Sequence, residues 1–482
     1  MNQLFSPSWH QVLAAFQNIW GYEDFRKPQG EIIRCLLARN DAVVIMPTGG
    51  GKSICFQLPA LLQTGLTLVV SPLVALMENQ VQELKSKKLS VALLHSELSS
   101  MQRRQTLKAL EQQKLSLLYL SPETLLSPPV WERLIKPDLE ITAIILDEAH
   151  CLTQWGDTFR PAYRRLGSVR QALLQHKTTG SRISIAAFTA TADPLAQAAI
   201  QKALGLEQPE IFCSSPYRSN LHPNVRIVWT PNSRKQQLLT FIKNRPKQSG
   251  LIYVRKRRDS EELAAWLREL GYGTYSYHAG LTPKERRAIE TSWLNDEAPF
   301  VVCTSAFGMG VNKPNVRWVV HFHAPLMITE YVQEIGRAGR DGKVSEVLTL
   351  VSEPTGWLDP EDRQRQSFFE KRISEQQQEA QQLIKKLPQQ GEINTVLQRF
   401  PNSAVALSML HSNGQLEWLD PFNYKIIKGV KHQASTQMNA SGQMYQYLYS
   451  KQCRWKLLLK AFGFGERFEN WRCGHCDNCR KS

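Results

Sequence analysis

The sequence predicts an α/β fold: two tandem parallel-sheet domains, then a helical segment and a small cysteine-bound module. Three observations carry this. Short apolar runs such as Val43-Val44-Ile45 and Ile144-Ile145-Leu146 recur between helical stretches, the mark of strands covered on both faces. The pattern breaks at the polar stretch Ser214-Ser215-Pro216-Tyr217-Arg218-Ser219-Asn220 and then restarts. Cys453, Cys473, Cys476 and Cys479 crowd the C-terminal end.

A chain of 482 residues exceeds a single core. Its formal charge of +16 favours a polyanionic partner, nucleic acid before a membrane surface. No apolar run approaches the ~20 residues that cross a bilayer. The start Met1-Asn2-Gln3-Leu4-Phe5-Ser6-Pro7 has neither a basic leader nor a long apolar stretch. The expected location is cytoplasmic, nucleoid-associated if bacterial, with no membrane partner.

In chain order, the first sheet domain (1–212) takes strands at 42–46, 66–70, 91–94, 116–120, 142–146 and 183–188. Helices at 53–62, 73–86, 100–112 and 162–175 lie between them. The second domain (213–352) takes strands at 225–229, 250–254, 273–277, 300–303, 317–321 and 345–350, with helices near 234–243, 259–270, 283–294 and 328–335. Segment 353–390 is a Gln/Glu/Arg-rich helical linker with a sparse apolar stripe. Segment 391–432 reads as helices 393–400 and 403–412, then a strand pair at Leu416–Leu419 and Tyr424–Ile427. Asn402-Ser403 can cap the second helix and Asn413-Gly414 can stop it. That pattern suits a winged-helix module or a helical spacer with a hairpin. Residues 440–482 form the cysteine module. The scattered Cys35, Cys55, Cys151, Cys213 and Cys303 are expected as unpaired core thiols.

The chemistry begins at Val43-Val44-Ile45-Met46-Pro47-Thr48-Gly49-Gly50-Gly51-Lys52-Ser53, a strand, a glycine-rich turn and a helix start. Such a turn wraps backbone N–H groups around a polyphosphate. Gly49, Gly50 and Gly51 let it close, Lys52 reaches the β- and γ-phosphates, and the Ser53 hydroxyl ligates Mg²⁺. Met46 stands where the strict pattern has its first glycine. The strand Ile144-Ile145-Leu146 delivers Asp147-Glu148. Asp147 would hold the metal and Glu148 would orient or deprotonate the attacking water. The two motifs in one chain indicate a nucleotide triphosphatase.

Tyr22-Glu23-Asp24-Phe25-Arg26-Lys27-Pro28-Gln29 precedes an apolar helix. An aromatic can stack on a purine, and the Gln29 amide can pair with an adenine edge or be an exposed helix residue. In the second domain, Gln333-Glu334-Ile335-Gly336-Arg337-Ala338-Gly339-Arg340-Asp341-Gly342 places two guanidinium groups on one turn. They suit charge developing on a γ-phosphate.

Taken in order, these stretches resemble the RecQ family of ATP-dependent DNA helicases over about residues 8–352 and again at 445–479. The matching pieces include Phe25-Arg26 with Gln29, Met46 through Ser53, Asp147 through Cys151, Gln154-Trp155-Gly156, Phe159-Arg160-Pro161, Thr189-Ala190-Thr191-Ala192 and Gln333 through Gly342. An apolar residue at Met46 is typical of helicase-type motors. The resemblance implies two tandem RecA-like motor domains, ATP-driven 3′→5′ translocation on single-stranded DNA and duplex unwinding, in repair or recombination. Tyr22, Arg26, Gln29 and Thr48 then fall at the nucleotide, with Gln333, Arg337 and Arg340 serving hydrolysis. Thr189 and Thr191 link the nucleotide site to motion. Trp155, Phe159 and Arg160 fall in a DNA-sensing, aromatic-rich loop suited to stacking and phosphate contact. Partners implied are single-stranded and forked or tailed duplex DNA and a single-stranded-DNA-binding protein, with the chain acting as a monomer.

Two departures stand out. The loop has Asp157-Thr158 where the family has His-Asp, and residues 353–440 separate the second motor domain from the cysteine module. Four thiolates suit tetrahedral Zn²⁺ or an iron–sulfur cluster. The resemblance implies structural zinc, with His475 a neighbour. Segment 425–482 carries 11 Lys/Arg against 3 Asp/Glu, which can grip phosphates with strong salt dependence. An RNA helicase or remodelling ATPase and a non-enzymatic nucleic-acid scaffold are the rival readings.

Overall fold

Seven parallel strands build the first sheet: β1 (Ala42–Ile45), β2 (Leu66–Val70), β3 (Val91–Leu94), β4 (Leu117–Leu120), β5 (Ile141–Leu146), β6 (Ser184–Thr189) and β7 (Glu210–Cys213). Their order is β3-β4-β2-β5-β6-β1-β7, so β1 and β5 end on the same sheet edge on either side of β6. Every residue of β1, β2 and β5 is buried, as the uninterrupted apolar runs require. In this computed structural model the described residues are 7–152, 161–307, 311–427, 437–468 and 470–480.

The second sheet holds β8 (Leu221–Val228), β9 (Gly250–Tyr253), β10 (Thr274–Tyr277), β11 (Phe300–Cys303), β12 (Trp318–His321) and β13 (Ser345–Ser352) in the order β10-β11-β9-β12-β13-β8. All neighbours are again parallel. Thr282 caps the helix Pro283–Leu294 with a reciprocal bond from its own N–H to Glu285, and Pro283 occupies the first helical turn, where no N–H is needed.

Some expectations need correction. The helix expected at 162–175 is a 3₁₀ helix at Pro161–Ser168 followed by a short α-helix at Val169–Leu174. Within the 3₁₀ segment the chain passes close to its neighbour: a Cβ on Gly167 would lie 2.1 Å from the Ala203 carbonyl oxygen, so only glycine fits there. Strand β8 starts four residues early, because polar His222 and Asn224 mask its pattern, and strand β7 was not anticipated. Cys213 on β7 is exposed, not a core thiol, since β7 is an edge strand with one covered side. Asn402 does not cap its helix; it sits at φ 69 and makes no side-chain cap bond.

The chain divides into two units: Met1–Ser214 with Glu375–Ala434, and Ser215–Ser374 with Ser435–Ser482. The helix Glu361–Ile384 gives its first turns to the second unit and its last turns to the first. Its start is fixed by Arg234, which is fully buried and bonds Asp359 (2.8 Å), Asp362 (2.9 Å) and the Ser352 hydroxyl (2.8 Å).

In the first unit a third strand, β14 (Gln390–Glu392), precedes the helices Ile393–Arg399 and Ser403–Ser412. It pairs with β16 (Asn423–Ile426), which also pairs with β15 (Leu416–Trp418), all antiparallel. Helix Ser403–Ser412 carries no exposed residue and no Lys or Arg. This module packs on the first sheet's own periphery. Phe422 meets Trp131 edge-on at 5.2 Å, and Arg165 donates to the Pro421 carbonyl at 3.3 Å.

In the second unit the helix Arg454–Ala461 buries Trp455 completely, and its indole donates to the Leu221 carbonyl at 3.1 Å. No helix among the described residues is long and apolar enough to cross a membrane.

Candidate nucleotide and metal sites

The turn after β1 ends at Gly51, which takes φ 77 and starts the helix Lys52–Leu62. A side chain there is disfavoured by the left-handed backbone and would also push aside Gln29, whose Nε2 would lie 2.3 Å from a Cβ. Gln29 is 4% exposed; its Nε2 donates to the Gly50 carbonyl at 3.1 Å, and its Oε1 accepts from the Arg26 N–H at 2.9 Å. The amide is therefore turned onto the phosphate loop in this conformation, not presented as an exposed helix residue. Arg26 is exposed, and Tyr22 is exposed with its ring 5.8 Å from that of Phe16. Lys52 Nζ reaches back to the Met46 carbonyl at 3.2 Å. Thr48, Gly49, Gly50 and Ser53 line the same turn and are covered only in part or exposed.

Asp147 leaves β5 buried, and its Oδ1 accepts from the Glu148 N–H at 3.0 Å. Burial, with Glu148 beside it and Lys52 opposing, lifts the Asp147 carboxyl to about 7. That carboxylate lacks enough positive charge around it, which is the deficit a hard cation fills. Glu148 sits at φ 52 and its Oε2 stands 3.2 Å from His150 Nδ1. Burial alone would lower His150; Cys151 and Glu148 outweigh it and raise the imidazole to about 10. The same Nδ1 is 3.2 Å from the Thr189 hydroxyl. Thr189 Oγ1 in turn receives the Thr191 N–H at 3.2 Å, and both threonines are fully buried. The Thr189 carbonyl accepts from the Met46 N–H at 3.0 Å, which closes the path back to the phosphate loop. Thus Lys52, Asp147, Glu148, Thr189 and Thr191 come together, with His150 as the joint.

In the second unit, Gln333 lies on the helix Ile328–Ile335, and Arg337 and Arg340 lie on the turn after it. Arg337 stands against the Tyr253 hydroxyl. Arg340 donates to Asn312 Oδ1 at 2.8 Å; burial, then Arg337 and Arg218, lower it to about 10. Several residues that hold this turn were not singled out from sequence. Arg218 donates to the carbonyls of Gly336 and Gly339, and Asn220 donates to Gly339 at 2.8 Å. Both come from the polar stretch that reads as a boundary. Arg255 grips Glu330 (2.6 Å) and Glu334 (2.7 Å), and Glu334 also meets His321 at 2.9 Å. Against its burial, Arg255 and His321 hold the Glu334 carboxyl down at about 2. An apolar strand carrying His321 gave no signal of this pairing.

The sulfurs of Cys453, Cys473, Cys476 and Cys479 lie within 4.8 Å of one another, with Cys473 and Cys479 at 3.9 Å. A tetrahedral Zn²⁺ with 2.3 Å bonds needs edges of about 3.8 Å, so the donor set fits. His475 stands outside it, stacked on His222 at 4.7 Å. Trp155, Phe159 and Arg160, with Asp157-Thr158, lie outside the described residues.

Residues 26–198 match the family described as DEAD/DEAH box helicase, 233–342 the helicase conserved C-terminal domain, and 419–480 the RecQ zinc-binding family. The chain is 53% identical over 468 residues to a Synechocystis protein named ATP-dependent DNA helicase RecQ, covering 96% of this chain and 97% of that one. A Pasteurella multocida protein of the same name is 37% identical over 369 residues, covering 75% and 56%. A solved structure of the DUF1998 helicase MrfA bound to DNA shares the fold at TM-score 0.59 and 21% identity, covering 75% of this chain and 53% of that one.

Proposed function

The chain belongs to the RecQ family of DNA helicases, and on that premise we propose that it moves 3′→5′ along single-stranded DNA and separates duplexes ahead of it. It is an ATP-dependent DNA helicase with ATP and zinc as ligands, consistent with work in repair or recombination. The observation that carries the mechanism is the buried Asp147 beside Lys52 and Glu148.

Ser53 and Asp147 would hold Mg²⁺, whose charge offsets that of the phosphates during in-line attack by water. Lys52 contacts the β- and γ-phosphates, and the three glycines supply N–H groups around them. Glu148 orients the water or takes its proton, while the positively charged His150 ring holds the Glu148 carboxylate in place. Gln333, Arg337 and Arg340 supply further bonds and positive charge for the transferred phosphoryl group. Tyr22, Arg26 and Gln29 hold the base once the Gln29 amide leaves the loop carbonyl. Trp155, Phe159 and Arg160 take the DNA strand by stacking and phosphate contact. Cys453, Cys473, Cys476 and Cys479 would hold Zn²⁺, which adds folding energy and no redox chemistry.

Residues 391–432, of which 428–432 lie outside the described residues, are proposed as a winged-helix module, with two helices and strands of a three-stranded antiparallel sheet. Its second helix has no exposed face, so it braces the first motor domain in place of reading a groove. Action as a monomer on forked or tailed duplexes, with a single-stranded-DNA-binding protein as partner, belongs to the same proposal.

Strand displacement with ATP on 3′-tailed DNA, 5′-tailed DNA and tailed RNA duplexes tests the reading. Separation of 3′-tailed DNA alone is the expected result; equal action on RNA, or none on any duplex, overturns it.

A further inference from the structure

The cysteine loop reaches the helix bearing Gln333 through a continuous run of buried polar groups. Asp477 lies between Cys476 and Cys479 and is 7% exposed. It accepts both arms of Arg454, Nε at 3.0 Å and Nη2 at 2.9 Å. Arg454 directly follows Cys453, and its Nη1 donates to the carbonyls of Tyr447 and Leu448. The Tyr447 hydroxyl then meets the Tyr331 hydroxyl at 2.7 Å, with the rings 4.8 Å apart and both side chains fully buried. Tyr331 stands on Ile328–Ile335, two residues before Gln333 and six before Arg337, which lies just past the helix end.

A hydroxyl in an apolar core costs free energy unless it is bonded, and packing alone would be served by phenylalanine at both positions. The Tyr447 hydroxyl therefore makes sense as the partner of Tyr331, whose own hydroxyl also meets Thr349. The Tyr331 hydroxyl is held from two sides, by Tyr447 and by Thr349 on β13, and this sets how the helix is rotated about its axis.

We infer that Tyr447 is a positioning residue for ATP hydrolysis: through Tyr331 it sets the helix that carries Gln333 and aims Arg337, so the metal-binding module acts on turnover as well as on folding. This rests on the reading that Arg337 serves hydrolysis.

The test uses the full zinc-loaded chain with Tyr447→Phe, Tyr331→Phe and the double variant. The readouts are kcat and KM for ATP with saturating single-stranded oligonucleotide, zinc content and thermal midpoint. Loss of one buried hydrogen bond at a positioning residue predicts a fall in kcat of about five-fold in each single variant. KM for ATP and zinc content stay unchanged, and the double variant loses no more than the worse single one. Wild-type kcat in either single variant, losses that multiply in the double, or a lowered midpoint with kcat intact each overturn the inference. Arg337→Ala separates it from its premise. If that variant keeps its kcat, the arginine reading fails; if it loses kcat while Tyr447→Phe does not, only the present inference fails.

Discussion

The imidazole of His150 stands 3.2 Å from the Thr189 hydroxyl and the same distance from the Glu148 carboxylate. One ring thereby joins the end of β5 to the end of β6, and through the Thr189 carbonyl to the phosphate loop.

Replacing His150 with Ala removes that joint and leaves Glu148 unaimed. The expected outcome is a fall of about ten-fold in kcat for DNA-stimulated ATP hydrolysis, with KM for ATP little changed. Steady-state phosphate release with and without oligonucleotide checks it.

Arg255 holds Glu330 and Glu334 together, and Glu334 is 3% exposed. Arg255→Lys keeps the charge and loses the two-armed fork, so a buried carboxylate is left partly unpaired. A destabilisation of about 3 kcal/mol in urea unfolding of the second unit is the expected result.

His411 lies in the module carried by the first unit. Burial, then Arg164 and Lys202, push its imidazole down to about 4. The unfolded chain takes up the proton near pH 6.5, while the folded one resists until about pH 4. Stability from this group is therefore full above pH 6.5 and is lost as the pH falls through that window, by at most about 3 kcal/mol. His411→Gln should flatten the thermal midpoint between pH 6.5 and 4; a slope equal to wild type would contradict the assignment.

Phe422 and Trp131 form the aromatic contact between the module and the first sheet domain. Phe422→Ala should cost about 1–2 kcal/mol, since the ring is only half-buried. Limited proteolysis should then release 375–427 earlier than in wild type.

Losing one zinc ligand by Cys476→Ser should drop the metal content and lower the thermal midpoint by at least about 5 °C. Inductively coupled plasma analysis and a melting curve check both halves.

Sequence legibility followed physical cause. Strands such as Val43–Ile45 and Ile144–Leu146 were readable because burial on both faces demands continuous apolar residues. Glycine turns and cysteine spacing were readable because few residue types satisfy those geometries. Strand β8 was half hidden, since His222 and Asn224 sit at its start and interrupt the run. The Gln390–Glu392 strand was invisible because two polar residues around a glycine carry no period. The long-range partners Arg255 with Glu334 and Arg218 with Gly339 had no local signature at all. Residues 375–434 illustrate the same limit, for nothing local in them says which unit they join.

The chain passes between the two units three times, near residues 214, 374 and 434. Each unit is therefore built from two stretches that are far apart in the chain and interleaved with those of the other. Neither folds from one contiguous stretch. A single nick near residue 214 would leave the first unit in two pieces, held together by packing alone.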